Sequence, residues 1–164
     1  MKMESLRELY VEELKDLYSA ETQITKALPK MAQAATSQVL KDAFQSHLEE
    51  TKEQIKRLDQ IFESLGESSK GKTCEGMKGL LKEGDELIKE DADPEVLDAG
   101  LISAAQRVEH YEMAGYGTVR TYAELLGEDD AVVLLETTLK EEKAADSKLS
   151  KAANKINVQA NRAA

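Results

Sequence analysis

The chain has 164 residues, 41% hydrophobic and 33% charged, with a formal net charge of −10. That balance is too apolar for disorder and too charged for a membrane-embedded protein, and its acidity argues against a nucleic-acid partner. Cys74 is the single cysteine, which excludes an internal disulfide and suits a reducing compartment. Met1-Lys2-Met3-Glu4 lacks the apolar run of a signal peptide, and no stretch of about twenty apolar residues is available to span a bilayer. The expectation is a cytoplasmic protein with neither a membrane nor a nucleic acid among its partners.

Helix formers dominate the sequence, and Pro29 and Pro94 are the only prolines. An all-β domain needs more turns than this composition provides. Four long segments carry apolar residues at helical spacing. The first spans about Ser5 to Thr36, with the stripe Leu6, Tyr10, Leu14, Leu17, Glu21, Ile24, Leu28 and Met31. Ser5 and Glu8 have capping-box spacing, and Pro29 predicts a kink or break. The second spans about Ser37 to Leu65, with Leu40, Phe44, His47, Thr51, Gln54, Leu58, Ile61 and Leu65 on one face. Ser37 is placed to cap it, and Gly66 to end it.

A polar stretch from Glu67 to Thr73 reads as a loop. Thr73 is then a candidate cap for a shorter helix reaching about Glu90. Pro94 follows Asp93 at a favourable first-turn position, opening a third long segment that ends at Gly127. Its stripe includes Leu97, Leu101, Ala105, Val108, Glu112, Val119, Tyr122 and Leu126. The fourth begins near Asp129, with Val132, Leu135, Leu139, Glu142, Asp146 and Leu149, and a frayed tail is expected from Asn157 to Ala164. Two helical hairpins joined by one long crossover carrying an extra short helix predict an all-α, ferritin-like four-helix bundle, with residues 1–164 as one domain.

The chemistry lies in acids that interrupt the apolar stripes. A carboxylate facing a bundle core is costly unless paired, protonated or bound to metal. Glu21 sits among Leu17, Ile24 and Leu28, and Glu112 sits between Val108 and Val119. Glu142 and Asp146 lie between Leu139 and Leu149, while the second helix brings His47, Glu50 and Gln54. Oxygen ligands with some imidazole suit iron or manganese, and paired metal sites in bundles draw carboxylates from all four helices. Glu21, Glu50, Glu109, Glu112, Glu142, Asp146 and His47 are therefore the candidate metal residues, for two ions of iron or manganese. Glu50 and Glu142 occupy matching places when the two halves are aligned. The second helix carries His47 ahead of Glu50, the reverse of the usual Glu-x-x-His order, and the fourth has no histidine.

Tyr18-Ser-Ala-Glu21, His47-Leu-Glu-Glu50-Thr51 with Gln54, Val108-Glu-His-Tyr-Glu112 with Tyr116-Gly117-Thr118, and Glu141-Glu-Lys-Ala-Ala-Asp146 occur in this order. Together they resemble the bacterial YciE/YciF family, from about Leu6 to Ile156. The resemblance implies a ferritin-like, rubrerythrin-related bundle, a homodimer, and a part in bacterial stress responses. It implies no defined enzymatic activity.

Each candidate also has a plainer reading. The acids can lie at stripe edges, solvated or paired to lysine and arginine, with Arg107 and Arg120 near those of the third helix. His47 reads as a ligand, as a partner orienting a ligating carboxylate, or as a satisfied interior histidine. His110 points away from Glu112 and reads as a surface or dimer-contact residue. Tyr18, Tyr111 and Tyr116 suit core packing, and Cys74 an incidental thiol. Two functions follow: a di-metal carboxylate protein acting on oxygen, peroxide or the metal itself, or a metal-free helical interaction protein of the stress response.

Overall fold

The computed structural model describes residues 3–162, all of whose regular structure is helical. Five helices follow one another: α1 (Leu6–Ala34), α2 (Gln38–Leu65), α3 (Glu75–Ile88), α4 (Pro94–Leu126) and α5 (Asp129–Arg162). Helix α1 packs on α2 and α4, and α5 packs on the same two helices, so the four long helices form a ring. The short helix α3 lies across α1 and α4. Neighbouring long helices run antiparallel. Helices α2 and α4 consequently point the same way, and residues 66–93 must travel back along the bundle between them, which is the job of the crossover and α3.

Local chemistry fixes the helix ends. Ser5 and Glu8 form the expected capping box on α1. Gly66 and Gly127 end α2 and α4 in the left-handed conformation, at φ 68° and 72°, which glycine adopts without the Cβ penalty. Ser37 precedes α2 but makes no side-chain cap. The carboxylate of Asp98, on α4, instead accepts the backbone N–H groups of Thr36 and Ser37, at 2.7 Å each. Cys74 rather than Thr73 caps α3, its sulfur accepting the Met77 N–H.

Pro29 neither breaks nor ends α1, which is helical on both sides of it. The proline is exposed, so the carbonyl it leaves without an N–H partner is on the solvent side, while buried Leu28 and Met31 hold the flanking turns in the core. Ile156 is buried and α5 is helical to Arg162, while Ala163 and Ala164, the end of the tail expected to fray, lie outside the described residues.

The crossover is pinned by a half-buried relay. Tyr111 donates its hydroxyl hydrogen to Asp16 at 2.6 Å, and the Cys74 sulfur lies 2.9 Å from the same phenol oxygen. The Cys74 N–H donates to Ser19, and Gln23 donates to the Cys74 carbonyl. Burial pushes the Cys74 thiol above its ordinary range, and burial with the adjacent Asp16 does the same to Tyr111.

The apolar core is divided in two. One cluster gathers Ile24, Leu28 and Met31 with Leu40, Phe44, Leu101, Val108 and Leu149. The other gathers Tyr10, Leu14 and Leu17 with Leu58, Ile61, Val119, Leu135 and Leu139. Between them, at mid-bundle, lies a layer of buried polar side chains: Glu21, His47, Thr51, Gln54, Glu109, Glu112, Thr138 and Glu142.

Candidate metal centre

All four long helices supply the polar layer. Glu21 comes from α1, His47 and Gln54 from α2, Glu109 and Glu112 from α4, and Glu142 from α5. Glu109 and Glu112 are three residues apart and so share a face. Helices α1 and α4 approach closely here because Gly115, one turn beyond Glu112, has no side chain: a Cβ there would lie 2.7 Å from a Leu17 methyl.

His47, Glu109, Glu112 and Glu142 are all buried, and each offers one ligand atom within 4.8 Å of the others. His47 Nε2 lies 3.1 Å from Glu109 Oε1 and 3.7 Å from Glu142 Oε2, without alignment for a hydrogen bond. Its Nδ1 lies 3.3 Å from Glu50 Oε2 on the same helix. The Tyr116 hydroxyl donates to Glu21 Oε1 at 2.6 Å. Gln54 donates its amide hydrogens to Glu142 Oε1 and, at 3.0 Å, to Glu141 Oε2. Arg57 clamps the two Glu141 oxygens at 2.7 Å each and donates to Thr138 at 3.1 Å.

Much of the layer nevertheless lacks partners. Both oxygens of Glu112, Oε2 of Glu21, Glu109 and Glu142, Oε1 of Gln54 and Nε2 of His47 are buried without a hydrogen bond. Among the described residues no lysine or arginine forms an ion pair with Glu21, Glu109, Glu112 or Glu142. Arg120 pairs instead with Glu124 and Glu136.

This crowding moves protons. Burial raises Glu21 from 4.5 to about 7, against the opposing pull of Tyr116. Burial, with Glu21 and Glu142 as charged neighbours, holds Glu112 well above the carboxylate range. Burial and the facing Glu109 do the same to Glu142. Burial also acts on Glu109, but the close approach of Glu142 and His47 outweighs it and brings Glu109 below its usual value. Burial disfavours charged His47, but Glu109 and Glu50 outweigh it and raise the imidazole well above its ordinary range. The hydrogen bond from His47 lowers Glu50. Without a cation, the layer thus holds protons on carboxylates to limit its own repulsion.

The seven sequence candidates do not occupy equivalent places. Glu21, Glu109, Glu112, Glu142 and His47 meet in the layer. Glu50 is half-buried at its edge, behind His47. Asp146 is also half-buried, and lies 3.2 Å from Gln106 and 3.3 Å from His110. His110 itself is exposed on the surface. Other contributors lie outside the seven candidates. Gln54, on the same stripe as His47, carries no charge, Tyr116 suits ordinary packing by its spacing, and the Arg57–Glu141 clamp joins helices that one sequence cannot place side by side.

Comparison with known proteins agrees with this architecture. Residues 5–162 match the family described as a domain of unknown function (DUF892). Protein YciF of Escherichia coli is 48% identical over 162 residues, covering 98% of each chain. The crystal structure of the E. coli stress protein YciF superimposes with a TM-score of 0.91, at 47% identity, covering 94% of this chain and 98% of that one. YcfI, a putative structural protein from Rhodopseudomonas palustris, gives a TM-score of 0.88 at 51% identity, covering 91% and 95%. A protein from Xanthomonas campestris, 22% identical with a TM-score of 0.76 over 94% of each chain, shares the fold. Motifs, full-length identity and superposition converge, and the chain belongs to the YciE/YciF family of helical-bundle proteins.

Proposed function

We propose that this protein is a ferritin-like carboxylate protein that holds a pair of iron or manganese ions and serves the bacterial stress response. The observation that carries the reading is the set of buried carboxylate oxygens and one imidazole nitrogen left without partners at mid-bundle. Each such group costs roughly 1–3 kcal/mol when unsatisfied, and more when charged. Ionised Glu21, Glu109, Glu112 and Glu142 would carry the charge that two divalent cations balance. The donor set, oxygen-rich with one imidazole, fits iron or manganese better than zinc or copper.

Glu109, Glu112, Glu142 and His47 would hold metal, with Glu21 completing the set. Iron or manganese bound there would supply Lewis-acid and one-electron chemistry toward oxygen, peroxide or further metal. The surrounding residues have positioning roles. Glu50 accepts from Nδ1 of His47 and so turns Nε2 inward, while Tyr116 orients Glu21 and Gln54 orients Glu142. The description of the E. coli relative as a stress protein supports the physiological setting.

The test is thermal stability of protein purified without chelators, measured with EDTA and after adding back iron(II) or manganese(II). A ligand at about a hundred times its Kd adds about 2.7 kcal/mol, so metal should raise the melting temperature by several degrees. A Glu21→Ala/Glu112→Ala double variant should lose that gain. A wild type indifferent to both chelator and metal would favour the other reading, a metal-free helical scaffold for protein contacts.

A further inference from the structure

On the α3 side of the polar layer, the bundle contains a narrow cavity of about 30 Å³. Its walls are apolar, with Leu28 and Met31 from α1, Phe44 from α2, Ala105 and Val108 from α4, and Leu149 from α5. Polar side chains enter at two places. His47 and Glu109, which belong to the candidate metal centre, border it within the bundle, with half-buried Glu50 beside them. Ser46 and Lys148 are exposed at its other border, beside half-buried Ala43. These three residues also line a surface groove of about 730 Å³ between α2 and α5. The groove thus lies beside the cavity's outer border, with His47 and Glu109 at the inner one.

Size and polarity together select an occupant. A water needs roughly 10–15 Å³ of this kind of space, so the cavity has room for about two heavy atoms. A water also needs two to four polar partners, and small cavities with aliphatic and aromatic walls stay dry. Anions meet a further barrier, because the carboxylates of Glu50 and Glu109 border the cavity. The remaining class is a neutral diatomic that makes little demand on hydrogen bonding.

We propose that this cavity is a binding site for dioxygen, and that it delivers the gas from the α2–α5 groove to the His47–Glu109 side of the centre. Delivery to a metal rests on the function proposed above; occupancy of the cavity does not.

The experiment uses the metal-free full-length chain, so its outcome is independent of metal binding. Xenon-pressurised crystals should show a xenon atom between Met31, Phe44 and Leu149. In solution, dissolved dioxygen should enhance relaxation of the Leu28, Met31 and Leu149 methyl protons severalfold more than those of Leu14 and Leu58, which are fully buried in the other cluster, and more than their slightly greater exposure accounts for. Ala105→Leu should abolish both signals by filling the space. Should that variant unfold, Ala43→Phe at the half-buried mouth should slow the exchange of xenon. Ordered water in place of xenon, or equal relaxation in the two clusters, would overturn the site. Loss of xenon in Ala105→Leu with undiminished methyl relaxation would do the same. Failure of the chelator and metal melts, with xenon still bound, would remove the metal and leave the gas site standing.

Discussion

Glu112 concentrates the electrostatics of the molecule in one side chain. It is fully buried, both its oxygens lack hydrogen bonds, and burial with its charged neighbours holds it protonated far above the usual range. Glu112→Gln keeps the shape and removes the charge. At about pH 8 the metal-free variant should melt a few degrees above the metal-free wild type, since about 1 kcal/mol corresponds to 2–4 °C in a chain of this size. It should also lose most of the gain produced by manganese(II). A scanning calorimetry series would check both, and a variant that melts lower without metal yet gains as much with it would contradict the account. Cys74 makes a second point at this scale. Its thiol is inaccessible, its pKa is raised, and its sulfur caps α3 while contacting Tyr111. A disulfide reagent should reach it only through local opening, at least ~100-fold more slowly in the native protein than in the unfolded chain. Equal rates would show the crossover to be loosely attached.

Among the elements, contacts between helices decide what helical periodicity leaves open. The four stripes and the capping box were legible because they depend on residues three, four and seven apart. Glu21, Glu112 and Glu142 were legible for the same reason, since each sits within its stripe. Glu50 and Asp146 were less so. By helical geometry Glu50 lies about 60° round α2 from His47, and Asp146 about 40° round α5 from Glu142. At such angles the neighbouring helix determines burial, and both side chains emerge half-buried. Pro29 leaves α1 unbroken for a related reason: a proline on the solvent face of a packed helix costs hydrogen bonding but leaves the buried stripe intact. The α1–α2 turn shows the same dependence, because its anchor, Asp98, is some sixty residues away on α4. Asp98→Ala should cost about 1–3 kcal/mol through two lost charge-assisted hydrogen bonds. Urea denaturation would measure it, and a change below a few tenths of a kcal/mol would show that water replaces the carboxylate.

For the whole molecule, the division of the core by a polar layer links stability to pH. Glu21, Glu112 and Glu142 have raised folded pKa values, so the folded chain keeps protons that the unfolded chain has released. Their contribution is complete below the unfolded value of 4.5 and is lost as pH rises, for Glu21 through about 7. His47, raised by Glu109 and Glu50 against its burial, acts in the same direction. Glu109 and Glu50 have lowered values and act oppositely, losing their contribution on acidification. The upshifted groups prevail, so the metal-free protein should melt progressively lower from about pH 5 to about pH 8. Manganese(II) should flatten or reverse that trend, because cation binding displaces the protons. Metal-free melting temperatures that climb over this interval would mean that the carboxylates are ionised and otherwise compensated.

Anomalous diffraction from crystals soaked in manganese(II) examines the central claim most directly. The account predicts two anomalous peaks at mid-bundle, one among His47, Glu109, Glu112 and Glu142 and the other toward Glu21. A polar layer without anomalous signal, with manganese found only on surface acids such as Asp129 and Asp130, would contradict it.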